Sequence, residues 1–332
     1  MFYKKGAHKS LNCSLCYHRC TIEEGQKGIC GVRENRAGTL YSMVYGKSIS
    51  ENVDPIEKKP LFHLFPGSQS LSIATAGCNF KCLHCQNSSI SQMPRDNNYI
   101  EGNALPPSKI VSLAKEYNCR SISYTYTEPT IYFEYAFETS KLAKEEGLAN
   151  SFVTNGYITP EALKTIHPYL DAANIDLKSF SDDFYRKVCG AKLQAVLDSI
   201  TLYYQLGIWV EITTLIIPGY NDSLDELTDI AKFIKNIDEK IPWHITAFYP
   251  TYRLTDPPPT SIQSLRKARE IGLAEGLRYV YEGNIPGKGS ENTSCYNCNK
   301  TLIQRLGFSI IENRIKDGKC PECQSLIDGI GL

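Results

Sequence analysis

From residue 71 onward the chain alternates between two hydrophobic periods. Residues 71–76 (Leu-Ser-Ile-Ala-Thr-Ala) are a short, mostly apolar run of the kind that fills a buried strand. Residues 121–126, 149–154, 172–177, 209–216 and 243–248 repeat it, rich in Ile, Val, Tyr, Trp and Thr. Between them, residues 131–146, the stretch after Pro160 to Ile166, the stretch up to Leu206, and 224–237 place apolar residues at helical spacing. Pro160 suits a first helical turn, and the prolines at 257–259 mark a turn before one more helical segment. Residues 277–281 fit a short closing strand. Six strand–helix units, short of the eight that close a full barrel, predict an α/β fold with an open, partial (β/α)6 barrel. Cysteine-rich sequence lies on both sides, so three parts are expected: an N-terminal module at 1–65, the barrel at 66–283 and a C-terminal module at 284–332.

Composition narrows the function classes. Of 332 residues 42% are hydrophobic, enough for a sizeable core, and 36 basic residues balance 36 acidic ones. That neutrality argues against a nucleic-acid footprint or a polybasic membrane contact. No segment approaches the ~18 consecutive apolar residues of a membrane span. The start, Met-Phe-Tyr-Lys-Lys-Gly, lacks the apolar core of a signal peptide, which leads to the expectation of a cytoplasmic protein.

Thirteen cysteines change the picture most. Eleven fall in short-spaced sets, which in such a setting read as metal ligands rather than disulfides. Cys78, Cys82 and Cys85 form CxxxCxxC directly after the first strand. Three closely spaced thiolates can hold three irons of a [4Fe–4S] cubane and leave the fourth open to a small ligand. The alternative is a zinc site completed by another ligand such as His84, although structural zinc knuckles usually come as CxxC pairs. Cys295, Cys298, Cys320 and Cys323 make two CxxC pairs 21 residues apart, a zinc-ribbon pattern that a rubredoxin-like iron site would share. Cys13, Cys16, Cys20 and Cys30 form a less regular tetrad that suits structural Zn2+ or an auxiliary [4Fe–4S] cluster, with a small lean toward zinc. Of the two remaining thiols, Cys119 reads as a buried residue. Cys189 is a candidate active-site thiol that donates a hydrogen atom or traps an intermediate, set against simple burial.

With these elements placed, the run Cys78-Asn-Phe-Lys-Cys82…Cys85-Gln-Asn resembles the radical SAM glycyl-radical-enzyme activases, including pyruvate formate-lyase-activating enzymes. The whole chain resembles more closely the radical SAM member of the AmmeMemoRadiSam system. Cys13-Ser-Leu-Cys16, His18-Arg-Cys20, Gly28-Ile-Cys-Gly-Val-Arg-Glu34, Asp54-Pro-Ile-Glu-Lys-Lys-Pro-Leu61, Tyr124-Thr-Tyr-Thr-Glu-Pro129, Asp176-Leu-Lys178 and Tyr185-Arg-Lys-Val-Cys-Gly190 carry that likeness. The resemblance implies that Cys78, Cys82 and Cys85 hold a [4Fe–4S] cluster and that S-adenosylmethionine (SAM) caps its open iron. It further implies that reductive cleavage yields a 5′-deoxyadenosyl radical. His84 is then expected beside the adenine, Glu128 at the methionyl ammonium, and Thr154, Asn155 and Gly156 near the ribose. Asp176 and Lys178 share one strand face by the period-2 rule, with the lysine at the methionyl carboxylate. Tyr249 falls where the activases often carry a histidine beside SAM. Where most relatives show Gly-Gly-Glu, this chain has Tyr126-Thr127-Glu128.

Ferredoxin or flavodoxin is the implied electron donor. A partner protein, of the Memo-like or AMME type, is the implied substrate. The alternatives are a glycyl-radical-enzyme activase, a metal-stabilised binding scaffold without catalysis, and a nucleic-acid-modifying enzyme, which the neutral charge disfavours. Residues 283–289 (Gly-Asn-Ile-Pro-Gly-Lys-Gly) lack the spacing of a phosphate loop and read as a linker.

Overall fold

Parallel strands added one after another in chain order build the centre of the molecule. The computed structural model describes residues 1–285 and 290–332. The barrel sheet has eight strands: β1 (Ser50–Pro55), β2 (Gln69–Ala74), β3 (Ser121–Tyr124), β4 (Ala149–Thr154), β5 (Ala172–Asp176), β6 (Trp209–Ile216), β7 (Trp243–Ala247) and β8 (Val280–Gly283). Each pairs with its chain neighbour, β2 to β8 all parallel. The crossovers are α1 (Pro107–Glu116), α2 (Phe133–Glu145), α3 (Pro160–Ile166), α4 (Leu193–Gln205), α5 (Leu224–Ile237) and α6 (Ile262–Ala274). β1 and β8 are the two ends of the strand order, so the barrel is open, as the six strand–helix units predicted.

The inner strands are buried on both faces, which is why they read as apolar runs rather than alternating ones. The helices start where sequence chemistry directs. Pro107 and Pro160 occupy first turns, and the hydroxyls of Ser223 and Ser261 accept hydrogen bonds from the N–H groups of Glu226 and Ser264. α5 buries Leu227, Ile230, Ala231 and Ile234, one face at i, i+3, i+4 and i+7.

Two features depart from the sequence reading. Ser50–Pro55 falls in the stretch assigned to the N-terminal module, yet it pairs antiparallel with β2 as the edge of the barrel sheet. The helical stretch ending at Leu206 is broken: a turn at Asp182–Phe184 runs into a π-turn at Tyr185–Cys189, and Gly190 ends it at φ 73°.

The small modules pack on the barrel rather than standing apart. Arg33, in the hairpin Arg33–Arg36/Thr39–Ser42, forks onto Glu134 of α2 at 2.8 and 2.5 Å. The C-terminal sheet comprises β9 (Thr293–Ser294), β10 (Thr301–Leu306) and β11 (Ser309–Asn313). The tail after it docks under the barrel, where Ile330 donates to the His63 carbonyl at 2.7 Å and Arg278 holds Asp328 at 2.9 Å. The linker expected at 283–289 lies largely outside the described residues, since 286–289 are not described. No helix among the described residues is long and apolar enough to cross a membrane.

Candidate active site

The loop after β2 carries Cys78, Cys82 and Cys85 to the C-terminal end of the sheet, and all three line one cavity of about 380 Å³. His84, Asn155, Asp176 and Lys178 line the same cavity. The loop is clamped from several sides. Phe80 N–H donates to Cys78 Sγ at 3.3 Å. Lys81 N–H and Leu83 N–H donate to the carbonyls of Cys189 and Val188 at 2.8 and 3.0 Å. Asn155 Nδ2 donates to Asn79 Oδ1 at 2.8 Å and reaches Cys78 Sγ at 3.8 Å. Gly77 is required, because its φ is 103° and a Cβ there would lie 2.6 Å from Val32 Cγ1.

Charge in this end is arranged unevenly. Burial, with the Glu128 carboxylate nearby, holds the Cys78 thiol well above its ordinary range. The Cys189 thiol, and then burial, do the same for Cys82. Burial alone would lower the Lys178 pKa, but Asp176 at 2.7 Å and the Cys82 and Cys189 sulfurs keep its ammonium charged. His84 is held neutral, its pKa lowered to about 3 by burial and by Lys178, and its Nδ1 is buried without a hydrogen-bond partner.

The superfamily model for radical SAM proteins matches residues 72–234, from within β2 to within α5 and including the three loop cysteines. An uncharacterised protein of Methanocaldococcus jannaschii is 48% identical over 99% of this chain and 98% of its own length. A second protein of that organism, named a putative glycyl-radical enzyme activating enzyme, is 30% identical over 62% of this chain and 78% of its own length. The chain belongs to the radical SAM superfamily. The solved structure of Streptococcus suis SuiB bound to S-adenosylmethionine shares the fold, with a TM-score of 0.52 at 17% identity over 69% of this chain and 53% of that one.

The residues present fit the groups that radical SAM enzymes carry. Three thiols open onto one cavity with N–H groups aimed at sulfur, which suits a cluster with one iron left free. The orphaned Nδ1 of a neutral His84 and the charged Lys178 offer a hydrogen-bonding ring and a carboxylate partner beside it. When bound, the cluster and SAM supply one-electron cleavage of a sulfonium to a carbon radical. The chain itself clamps the loop, keeps His84 uncharged and holds Lys178 in position through Asp176.

Other expected contacts are placed differently. Glu128 is buried and its acceptor capacity is taken up: Oε1 accepts from Thr130 N, Thr130 Oγ1 and Thr154 Oγ1 at 2.9, 2.6 and 2.8 Å. Its Oε2 accepts from Asn155 N at 2.8 Å. Glu128 therefore fixes the loop that presents Asn155 and does not line the cavity. Thr154 spends its hydroxyl hydrogen on Glu128, and Gly156 N–H donates back to Thr154 Oγ1 at 3.1 Å, so neither faces the cavity. Tyr249 is exposed and does not line the cavity, its hydroxyl donating to the carbonyl of Asn284, which does. Cys189 is fully buried behind the loop, against Cys82 rather than in the cavity. Cys119 is buried, as read.

Sequence reasoning missed a second set of residues in the cavity wall. Glu57, Phe62, His244, Glu282, Glu291 and Phe308 make up that set, drawn from the segment after β1, from β7 and β8, and from the C-terminal module. Glu57 Oε2 and Glu282 Oε2 are buried there without a partner among the described residues. Glu57 lies in the Asp54–Leu61 run singled out above, which was the available signal.

Farther away, the four C-terminal cysteines bring their Sγ atoms within 4.8 Å of one another, with Cys295–Cys323 and Cys298–Cys320 both at 3.6 Å. That group can hold a metal ion. The N-terminal tetrad surrounds a small space of its own, which Cys13, Cys16, Cys20 and Cys30 all line.

Proposed function

We propose that this radical SAM enzyme abstracts a hydrogen atom from a partner protein, and that His84, Asn155, Asp176 and Lys178 seat SAM against the cluster-bearing cysteines. The observation carrying the reading is the mixed wall of the cavity. Its wall gathers the three thiols with Lys178 and, besides Lys58, the carboxylates of Glu57, Glu282 and Glu291 together with the exposed ring of Phe308. A group that donates hydrogen bonds, such as a peptide N–H or a basic side chain, satisfies carboxylate oxygens that are otherwise buried and bare. A Memo-like or AMME-type protein is the partner that the full-length resemblance favours. Ferredoxin or flavodoxin is the donor, and an oxygen-poor cytoplasm is the setting that an open-iron cluster favours.

The C-terminal cysteines are read as a zinc site. Four thiolates at about 2.3 Å from one Zn2+ in a tetrahedron stand about 3.8 Å apart, close to the spacing of those sulfurs.

A specific observation keeps the glycyl-radical activase as the second reading, namely the activating-enzyme relative. Both readings require SAM cleavage. Reconstituted anaerobically with SAM and dithionite, the protein is expected to release 5′-deoxyadenosine, and Cys82→Ala to release none. Full cluster loading with no SAM binding would leave only a metal-stabilised scaffold. A long-lived backbone glycyl signal in a partner would select the activase.

A further inference from the structure

Three sets of cysteines occur in one chain, and their spacing sorts them. The C-terminal four are crowded as a single ion demands, every Sγ within 4.8 Å of the others. Among the described residues, no other group of three or more histidine, cysteine, aspartate or glutamate side chains converges that tightly. The central triad, which serves a [4Fe–4S] cluster in this superfamily, stands wider. So does the N-terminal tetrad of Cys13, Cys16, Cys20 and Cys30, although all four line one small space.

The physical reason for a wide set is the number of metal atoms. One Zn2+ draws all four sulfurs to about 2.3 Å from the same centre, and the knuckle closes around it. A cubane gives each thiolate a separate iron at a separate corner, so the sulfurs stand around a core instead of meeting at a point. The N-terminal sulfurs do not meet within 4.8 Å of one another as a single ion's ligands do. They line a small cavity of about 20 Å³ whose remaining wall is largely apolar, from Leu15, Ile22 and Ile131. Cys13 and Cys30 are buried, Cys16 and Cys20 half-buried, so the site is shielded but not sealed.

Its position adds a second observation. His18, which also lines this cavity, places Nε2 2.8 Å from the carbonyl oxygen of Asn79, the residue after Cys78. Cys16 bridges to Ile158, three residues beyond the Asn155 that reaches Cys78 Sγ. The tetrad is thus built onto the loop of the first cluster rather than hung on the surface as a separate staple.

We propose that Cys13, Cys16, Cys20 and Cys30 bind a second [4Fe–4S] cluster, seated one hydrogen bond from the loop that carries the first. This reverses the lean toward zinc taken from spacing in the sequence, where CxxCxxxCx9C fits either metal. It does not depend on which substrate the enzyme attacks.

The full chain carrying Cys78→Ala, Cys82→Ala and Cys85→Ala reads the N-terminal site alone. After anaerobic reconstitution with iron and sulfide, it is expected to keep about four irons and four sulfides per chain, with visible absorbance that bleaches on reduction. Adding Cys16→Ser to that variant should remove most of this iron and leave the C-terminal metal in place. Two zincs and no iron in the triple variant would overturn the proposal, as would iron that survives Cys16→Ser. If the triple variant does not fold, the unaltered protein decides the matter. About eight irons with one zinc is the expected count, and about four irons with two zincs is the count that overturns it.

Discussion

Lys59 is buried to within 1% of full enclosure, an expensive place for an ammonium. Asp54 makes it tolerable, with Oδ2 at 2.6 Å and its other oxygen on Lys58 at 2.8 Å. The Tyr126 ring faces the same ammonium at 4.3 Å, and its hydroxyl donates to Asp54. Burial alone would raise the Asp54 pKa, but these donors hold it well below the ordinary carboxylate range. Asp54→Asn strands the lysine, so it should cost about 3–5 kcal/mol in urea unfolding. The pH dependence has a definite sign. A depressed aspartate contributes stability that is whole above the unfolded value near 3.9 and is lost as pH falls through the folded value. Acid unfolding of Asp54→Asn should therefore lack that segment of the curve. Glu128 calls for a different test. Glu128→Gln turns an acceptor into a donor opposite Thr130, Thr154 or Asn155, for about 1–3 kcal/mol of lost stability. SAM affinity should fall with it. Lost SAM binding at unchanged stability would instead make Glu128 a direct ligand. The sequence carried the identity of both acids but not their partners, because Tyr126 reaches Asp54 only through a backbone turn at φ 61°.

The elements read best from sequence are those whose period burial imposes. β2 to β7 and the helices between them are buried on faces that repeat every two or 3.6 residues, and their existence and order follow from that pattern. β1 escaped because Ser-Glu-Asn-Val-Asp-Pro is mostly exposed on an edge, where pairing with β2 rather than apolar alternation makes the strand. The π-turn at Tyr185–Cys189 escaped for a related reason: its backbone serves the cysteine loop, accepting from Lys81 and Leu83. π-turns recur at functional sites, and here the turn sets the height of Cys82. Gly190→Ala tests that link. The new methyl would occupy φ 73° at 3.4 Å from Lys81 Cβ, so the strain falls on the loop. Iron should leave the variant several-fold faster under a chelator, while its far-ultraviolet circular dichroism stays that of the parent. Unchanged iron release would mean the loop holds its shape without the turn.

At the scale of the molecule, the C-terminal module is a wall of the cavity as well as an appendage. Its own core is small, Leu302, Ile303 and Ile327 around Cys295 and Cys320, the size of core that a structural metal ordinarily staples. The docking contacts are buried and polar. Arg305 donates to the Phe62 carbonyl at 2.9 Å, lies over the Phe62 ring at 4.3 Å and approaches Glu57 at 3.6 Å. Tyr281 links His63 and Thr293 at 2.6 and 2.9 Å. Such bonds are strong only while water is kept out, and on the zinc reading a bound ion holds β10 in register over them. Stripping that metal with a chelator should therefore free β10 and expose Arg305, whose side chain is otherwise enclosed. Trypsin should then cut after Arg305 in the stripped protein and spare it in the loaded one, and restoring Zn2+ should restore the protection. Proteolysis is a sharper probe than melting, because the barrel core can survive the loss of the tail. A tail that stays uncut after the metal is gone would place its stability in the barrel contacts instead. Release would uncover Glu57 and withdraw Glu291 and Phe308 together, so one ion in the C-terminal module would govern that wall of the cavity.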